Sequence, residues 1–432
     1  MSYFHLNLIL KGKLTVCCLL MLPAIPLNAQ REAKQIGDFK ESISLNEHLR
    51  GTKRTLQYRP DGDEFVCVNG KNRYTRALYG SHSPFRVETS DRPVFAFYNN
   101  GRGGNISFKV ILRDGTELAL DCTGHCESRY SAGKRTYYLT DPSWGKGELR
   151  ISVLALADMD GAIWRFSPSN MPKGAILRWQ HGGATGKRLS RNGDMGVDPA
   201  DCFELPVEAT DLVTGELPLQ KEVYLVRGEV PEGYNVRKLY QQAEAASMAL
   251  ASHLKIETPD PYLNTLGGAL VAAADGIWDG QVWLHGAIGW RMPLSGWRAG
   301  YTGDALGWHD RARTHFDVYA ASQVTDVPNT IPHPAQDSTM NLARSEKRWG
   351  TPQYSNGYIC RNPERNNQMH HYDMNLCYID ELLWHFNWTG DLEYARRMWP
   401  VLTRHLAWEK RNYDPDNDGL YDAYACIWAS DA

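Results

Sequence analysis

NVRKLYQQAEAASMALASHL, residues 235–254, is where the chain changes its period. Val236, Leu239, Ala243, Ala246, Leu250 and Leu254 recur at intervals of three and four, the spacing of an amphipathic helix. Asn235 is placed to cap its start, and Thr258-Pro259-Asp260-Pro261 stops it. Upstream, from Glu64 to about Gly228, the period is two. Ile106 to Arg113 and Glu117 to Cys122 are joined by Asp114-Gly115, a hairpin signal. Leu149 to Leu156, Ile163 to Phe166, Ile176 to Trp179 and Val223 to Val226 continue the pattern between Gly, Asp and Pro turns, which predicts an all-β sandwich. Downstream the pattern is helical apart from a Pro-rich stretch at Val327 to Gln336, with helices expected at Tyr262 to Asp275, Asp304 to Gln323, Met374 to Asn387, Leu392 to Tyr413 and from near Tyr421.

The organisation read from this is a signal peptide at 1–29, a β-sandwich domain at 30–230, a linker helix at 231–258 and a helical domain at 259–432. The signal is carried by Lys11 and Lys13, the apolar run Leu14 to Leu27 and the small Ala29, so the expectation is a secreted or periplasmic protein with no membrane span after cleavage. Of 432 residues, 42% are hydrophobic and 22% charged, an ordinary globular composition that excludes disorder and coiled coil. A net charge of -3 supplies no basic field for nucleic acid or an anionic membrane. The seven cysteines beyond the signal are too sparse for a disulfide scaffold. Cys122 and Cys126, beside His125, read as structural rather than metal-binding.

Three places carry chemistry. WRMPLSGWRAGYTGDALGWHDRAR, residues 290–313, mixes carboxylates, Arg, His and indoles, which suits a carbohydrate pocket because indole faces stack on sugar rings. Eleven of the 14 tryptophans lie between Trp278 and Trp428, which strengthens that reading. Thr302-Gly303-Asp304 reads as a helix start, with Asp304 at the N-cap where the dipole favours a carboxylate. NNQMHHYD, residues 366–373, sets Gln368, His370, His371 and Asp373 before a helix as hydrogen-bonding groups. Asp414, Asp416 and Asp418 alternate before Gly419 like the first half of a calcium loop, but the twelfth position is Ala425. A calcium-stapled turn and a plain polar turn both fit. Gly182 to Arg188 lacks the spacing of a P-loop, and Gly101 to Gly104 reads as a turn.

A sandwich, a linker helix and Trp-rich helical hairpins resemble exported glycoside hydrolases with an (α/α)6 toroid, the six-hairpin glycosidases. Arg298-Ala-Gly-Tyr-Thr-Gly-Asp304-Ala305 is similar to the Arg-x-Gly-Trp-Thr-Gly-Asp-Ala signature of family 78 α-L-rhamnosidases, and Glu381 to Trp408 looks like their next hairpin. The N-terminal half is similar to an uncharacterised domain of Gram-negative polysaccharide degraders. The resemblance implies that Asp304 contacts the sugar. Trp297 stands where those enzymes carry their acid Glu, and Met292 where they carry a further Asp. The expected function is an exported, exo-acting, inverting glycoside hydrolase that needs no cofactor. Asp304 is the first choice for proton donor, with Asp310 and Asp373 behind it, and Trp290, Trp297, Arg298, His309, Gln368, His370 and His371 are sugar contacts.

The 172 residues from Pro261 to Ala432 hold about half of the helices a toroid needs, so the helical domain is expected to be an incomplete toroid and the chain alone inactive. The alternatives are a non-catalytic carbohydrate-binding or pseudo-enzyme module, favoured by Trp297, and a polysaccharide lyase using Tyr372, His371 and Asn367.

Overall fold

The strand-rich half begins at Arg59. The computed structural model describes residues 57–71, 75–99, 102–184, 209–287, 291–296, 299–325, 330–332, 352–354, 356–360, 363, 372–414 and 416–421. The proposed signal lies outside the described residues. The first strands are β1 (Arg59–Asp61), β2 (Glu64–Val68), β3 (Arg76–Leu78), β4 (Arg86–Thr89), β5 (Phe95–Asn99), β6 (Arg102–Ile111) and β7 (Glu117–Ala119). Then come β8 (His125–Ser131), β9 (Lys134–Thr140), β10 (Glu148–Ala155), β11 (Gly161–Ser169), β12 (Ile176–Gly182), β13 (Val213–Pro218) and β14 (Val223–Gly228).

They form two antiparallel sheets, ordered β1-β2-β8-β9-β10-β11-β14 and β13-β12-β6-β5-β4-β3, with β7 paired to β6. Period-two alternation sends one set of side chains from each sheet into a shared core. Trp164 of β11 is fully buried there, with Phe95 of β5 edge-on at 5.6 Å and Phe97 and Phe108 at 5.8 and 6.0 Å. The Asp114-Gly115 turn joins β6 to β7 in the register Ile111↔Glu117. One expected turn is corrected: Arg102, Gly103 and Gly104 belong to β6 and pair with Asn99, Tyr98 and Phe97, while Gly101 lies outside the described residues. Cys126 is buried in the core, its Sγ 3.6 Å from the Asp91 carbonyl, while Cys122 is exposed; both are free thiols. Burial pushes the Cys126 thiol up to about 12.

Among the described residues six α-helices follow: α1 (Val236–Ala251), α2 (Pro261–Gly276), α3 (Gly300–Ala305), α4 (His309–Ala321), α5 (Tyr372–Thr389) and α6 (Leu392–Tyr413). Asn235 caps α1 through the Lys238 N–H at 3.0 Å, and Asp260 caps α2 through the Tyr262 N–H at 2.8 Å. The apolar stripe of α1 is buried only in its first half: Leu239, Tyr240 and Ala243 pack on Leu154, Leu156 and Ile163 of the first sheet. Ala246 is exposed and Leu250 only half-buried, so the second half of the stripe does not face the sheet; Val236, the first residue of the helix, is exposed as well. Within the Pro-rich stretch, β15 (Thr330–Pro332) pairs with β16 (Pro352–Tyr354). A second core joins α4, α5 and α6 through Ala312, Phe316, Tyr319, Tyr378, Leu382, Tyr394, Met398 and Leu402. The helix expected from Tyr421 lies outside the described residues beyond that residue.

The helix expected over Asp304 to Gln323 is two helices. Gly307 adopts φ 73, which ends α3 and turns the chain into α4. Asp304 is therefore the fifth residue of the six-residue α3 rather than an N-cap; the cap position is Ala299, with no side-chain bond.

Candidate functional site

α3 buries one side, Gly300, Gly303 and Asp304, against the helical half, and its glycines let it come close. A Cβ on Gly303 would lie 2.3 Å from the Trp283 indole, and one on Gly300 would lie 2.4 Å from Glu381 Oε2. Glu381 instead receives the Gly300 N–H at 3.1 Å, a buried bond at the start of the helix where backbone donors lack internal partners. This close approach places the next residues deep. Asp304 is 4% exposed.

Its carboxylate is held by two imidazoles. His309 Nδ1, from the first turn of α4, is 2.8 Å from Oδ1; His385 Nδ1, from α5, is 2.9 Å from both Oδ1 and Oδ2. A carboxylate accepts only, so both rings donate through Nδ1–H. The Asp304 and His385 side chains are 2% and 0% exposed, whereas that of His309 is 43% exposed. The group expected to give a proton to substrate is thus enclosed, and its partner faces out.

A third imidazole lies behind this cluster. His315 accepts the Trp283 N–H at Nδ1 at 3.1 Å, and burial lowers its pKa to about 3. It is a neutral ring carrying its hydrogen on Nε2. Phe316 stands 5.4 Å from both His315 and His385. At the outer edge, Arg311 bonds Asp275 at 2.6 Å and covers the Trp308 ring at 4.4 Å. Its guanidinium, behind the burial that opposes it, helps hold the Asp275 carboxyl below its usual range. Tyr301 hydrogen-bonds Asp380, tying α3 to α5.

Of the other expected site residues, Asp310 sits exposed in the first turn of α4, where its carbonyl accepts from Thr314. It forms no bond to the Asp304 cluster among the described residues. Asp373 is the second residue of α5, and its side chain is outside the described set. Trp290, Trp297, Arg298, Gln368, His370 and His371 lie outside the described residues, as does Asn367. Sequence reasoning missed His385, Glu381 and His315. The available signal was periodicity: Tyr378, Glu381, Leu382 and His385 form one buried stripe, and two ionisable groups in such a stripe need partners.

At the far end of α6, Asp414, Asp416 and Asp418 offer oxygens within 4.8 Å of one another. Asp418 also accepts the Leu420 N–H at 2.7 Å, and Asn417 takes φ 61 to bend the loop. An all-oxygen set of this kind fits a hard cation such as calcium. Elsewhere, a cleft of about 380 Å³ opens between α1, α2 and the β8–β9 turn. Ala132, Lys134, Glu244, Met248 and Ala269 line it, with no aromatic side chain among its walls, so it lacks the stacking surface a sugar site uses.

A family model described as a domain of unknown function, DUF4450, matches residues 100–228, the strands from β6 to β14. No curated protein matches the chain.

Proposed function

We propose that the chain is the sandwich and leading toroid portion of an exported glycoside hydrolase, exo-acting on plant or host polysaccharide and related to the α-L-rhamnosidase type. The observation that carries this reading is the Asp304 carboxylate held by His309 and His385 at the place where the Thr-Gly-Asp signature falls. Buried carboxylates paired to imidazoles are costly to maintain and concentrate at functional sites. A calcium ion at Asp414, Asp416 and Asp418 is part of the proposal as a structural staple.

The test is release of free sugar from pectic oligosaccharides and aryl α-L-rhamnosides by the chain and by longer proteins that contain it. Turnover that Asp304→Asn abolishes supports the reading; turnover that survives Asp304→Asn sinks it. A second reading, a carbohydrate-binding module without catalysis, is favoured by two features. Both Asp304 oxygens are committed to imidazoles and hidden from solvent, and Trp297 occupies the acid position. Saturable sugar binding without turnover would select it.

A further inference from the structure

We propose that His309 is the group of this site that exchanges a proton with bound substrate, and that Asp304 and His385 are positioning residues that hold its ring. The substrate class rests on the glycosidase reading above; the geometry does not.

The three groups are graded by exposure. Asp304 and His385 side chains are 2% and 0% exposed and bonded to each other, so neither meets a sugar. His309 shares the same carboxylate through Nδ1 at 2.8 Å and is 43% exposed. With Nδ1–H committed to Asp304, the remaining lone pair is on Nε2, at the outer end of the ring. A histidine tautomer is set by the hydrogen bond at its other nitrogen. His385 takes both Asp304 oxygens, which fixes the plane of the carboxylate that His309 meets. The turn at Gly307 brings His309 back over Asp304, five residues earlier in the chain. In the step itself, a proton passes from a bound water to Nε2 as the water oxygen's electron pair forms the bond to the anomeric carbon and the glycosidic C–O bond breaks, its electron pair leaving on the departing oxygen. Asp304 stands beside the imidazolium so formed; the departing oxygen takes a proton from solvent, and Nε2 gives its own back to solvent as the site empties.

The experiment is a long-range 1H–15N spectrum of the whole chain labelled with 15N-histidine at alkaline pH. The expected tautomer of His309 is Nδ1–H. In Asp304→Asn, whose amide can donate to the ring, it moves toward Nε2–H. An Nε2–H tautomer of His309 in the unmutated chain overturns the proposal, whether or not the variant folds. Treatment with diethyl pyrocarbonate followed by peptide mapping is expected to modify His309 and spare His385; protection of His309 contradicts the proposal. Where a glycoside is turned over, His309→Gly is expected to lose about 100-fold or more in kcat, with partial rescue by added imidazole. Loss without rescue counts against it. If no glycoside is turned over, the glycosidase reading fails while the tautomer still judges this proposal.

Discussion

Thr302-Gly303-Asp304 and Thr389-Gly390-Asp391 are the same tripeptide in two structures. In the second, Gly390 takes φ 63 between α5 and α6, and Asp391 caps α6 by accepting the Tyr394 N–H at 2.9 Å. Thr389 Oγ1 bonds back to the His385 carbonyl at 2.8 Å, and Arg313 reaches Asp391 at 3.2 Å. Apart from the Arg313 ion pair from α4, the contacts there are local helix-end chemistry on a partly exposed turn. In the first, Gly303 lies inside a helix because Trp283 leaves no room for a side chain, and Asp304 bonds residues 5 and 81 positions away. The cap motif is honoured where the glycine is free to turn. Where an indole and two imidazoles surround the tripeptide, packing overrides it.

The largest difference is expected at the aspartates. Asp304→Ala leaves the buried His385 imidazole facing an empty carboxylate site and removes the partner of His309; it should cost about 3–5 kcal/mol, the range for breaking a buried pair. Asp391→Ala removes one cap and should cost about 1 kcal/mol. Urea denaturation of both variants reads the gap, and equal losses would erase the distinction.

Acid should next weaken the surroundings of the first tripeptide. His315 titrates at about 3 in the folded chain against an ordinary value of 6.5, because burial disfavours its charge. The unfolded chain therefore binds more protons between these values. The His315 contribution is complete above pH 6.5 and is lost as pH falls toward 3, by on the order of 1 kcal/mol per pH unit. His315→Phe should flatten part of that slope. His405, lowered to about 4 by burial, will supply a remaining part. A slope unchanged in His315→Phe would show that the ring is not buried neutral.

Among the glycines, Gly303→Ala must displace the Trp283 ring and should cost about 1–3 kcal/mol. Gly390→Ala meets no atom within 4 Å, so its cost is confined to the left-handed backbone, about 1 kcal/mol. Quenching of Trp283 fluorescence should change only in Gly303→Ala. At the other end of α6, calcium at about 100 times its dissociation constant should stabilise by roughly 2.7 kcal/mol or less, and chelation or Asp416→Asn should reverse the rise in Tm.

Much of the fold was legible because its signals are local. Asp114-Gly115 turns a hairpin, Asn235 caps α1, and α6 occupies Leu392–Tyr413 as its period and the Asp391 cap imply. The site was legible only in part. Asp304 and His309 stand near one another in the chain, but the partner that encloses Asp304 comes from α5, and no local pattern announces a contact across 81 positions. The N-cap reading of Asp304 failed for the same reason: Gly303 serves the Trp283 ring, not a turn.

The measurement closest to the central claim is a pair of double-mutant cycles in denaturant, Asp304 with His385 and Asp391 with Arg313. Asp304 and His385 are enclosed and doubly bonded, so the expected coupling is about 2–3 kcal/mol. Asp391 and Arg313 meet at a partly exposed 3.2 Å contact, so below about 1 kcal/mol is expected there. A coupling for Asp304 and His385 no larger than that for Asp391 and Arg313 would contradict a built carboxylate–imidazole site at the first tripeptide.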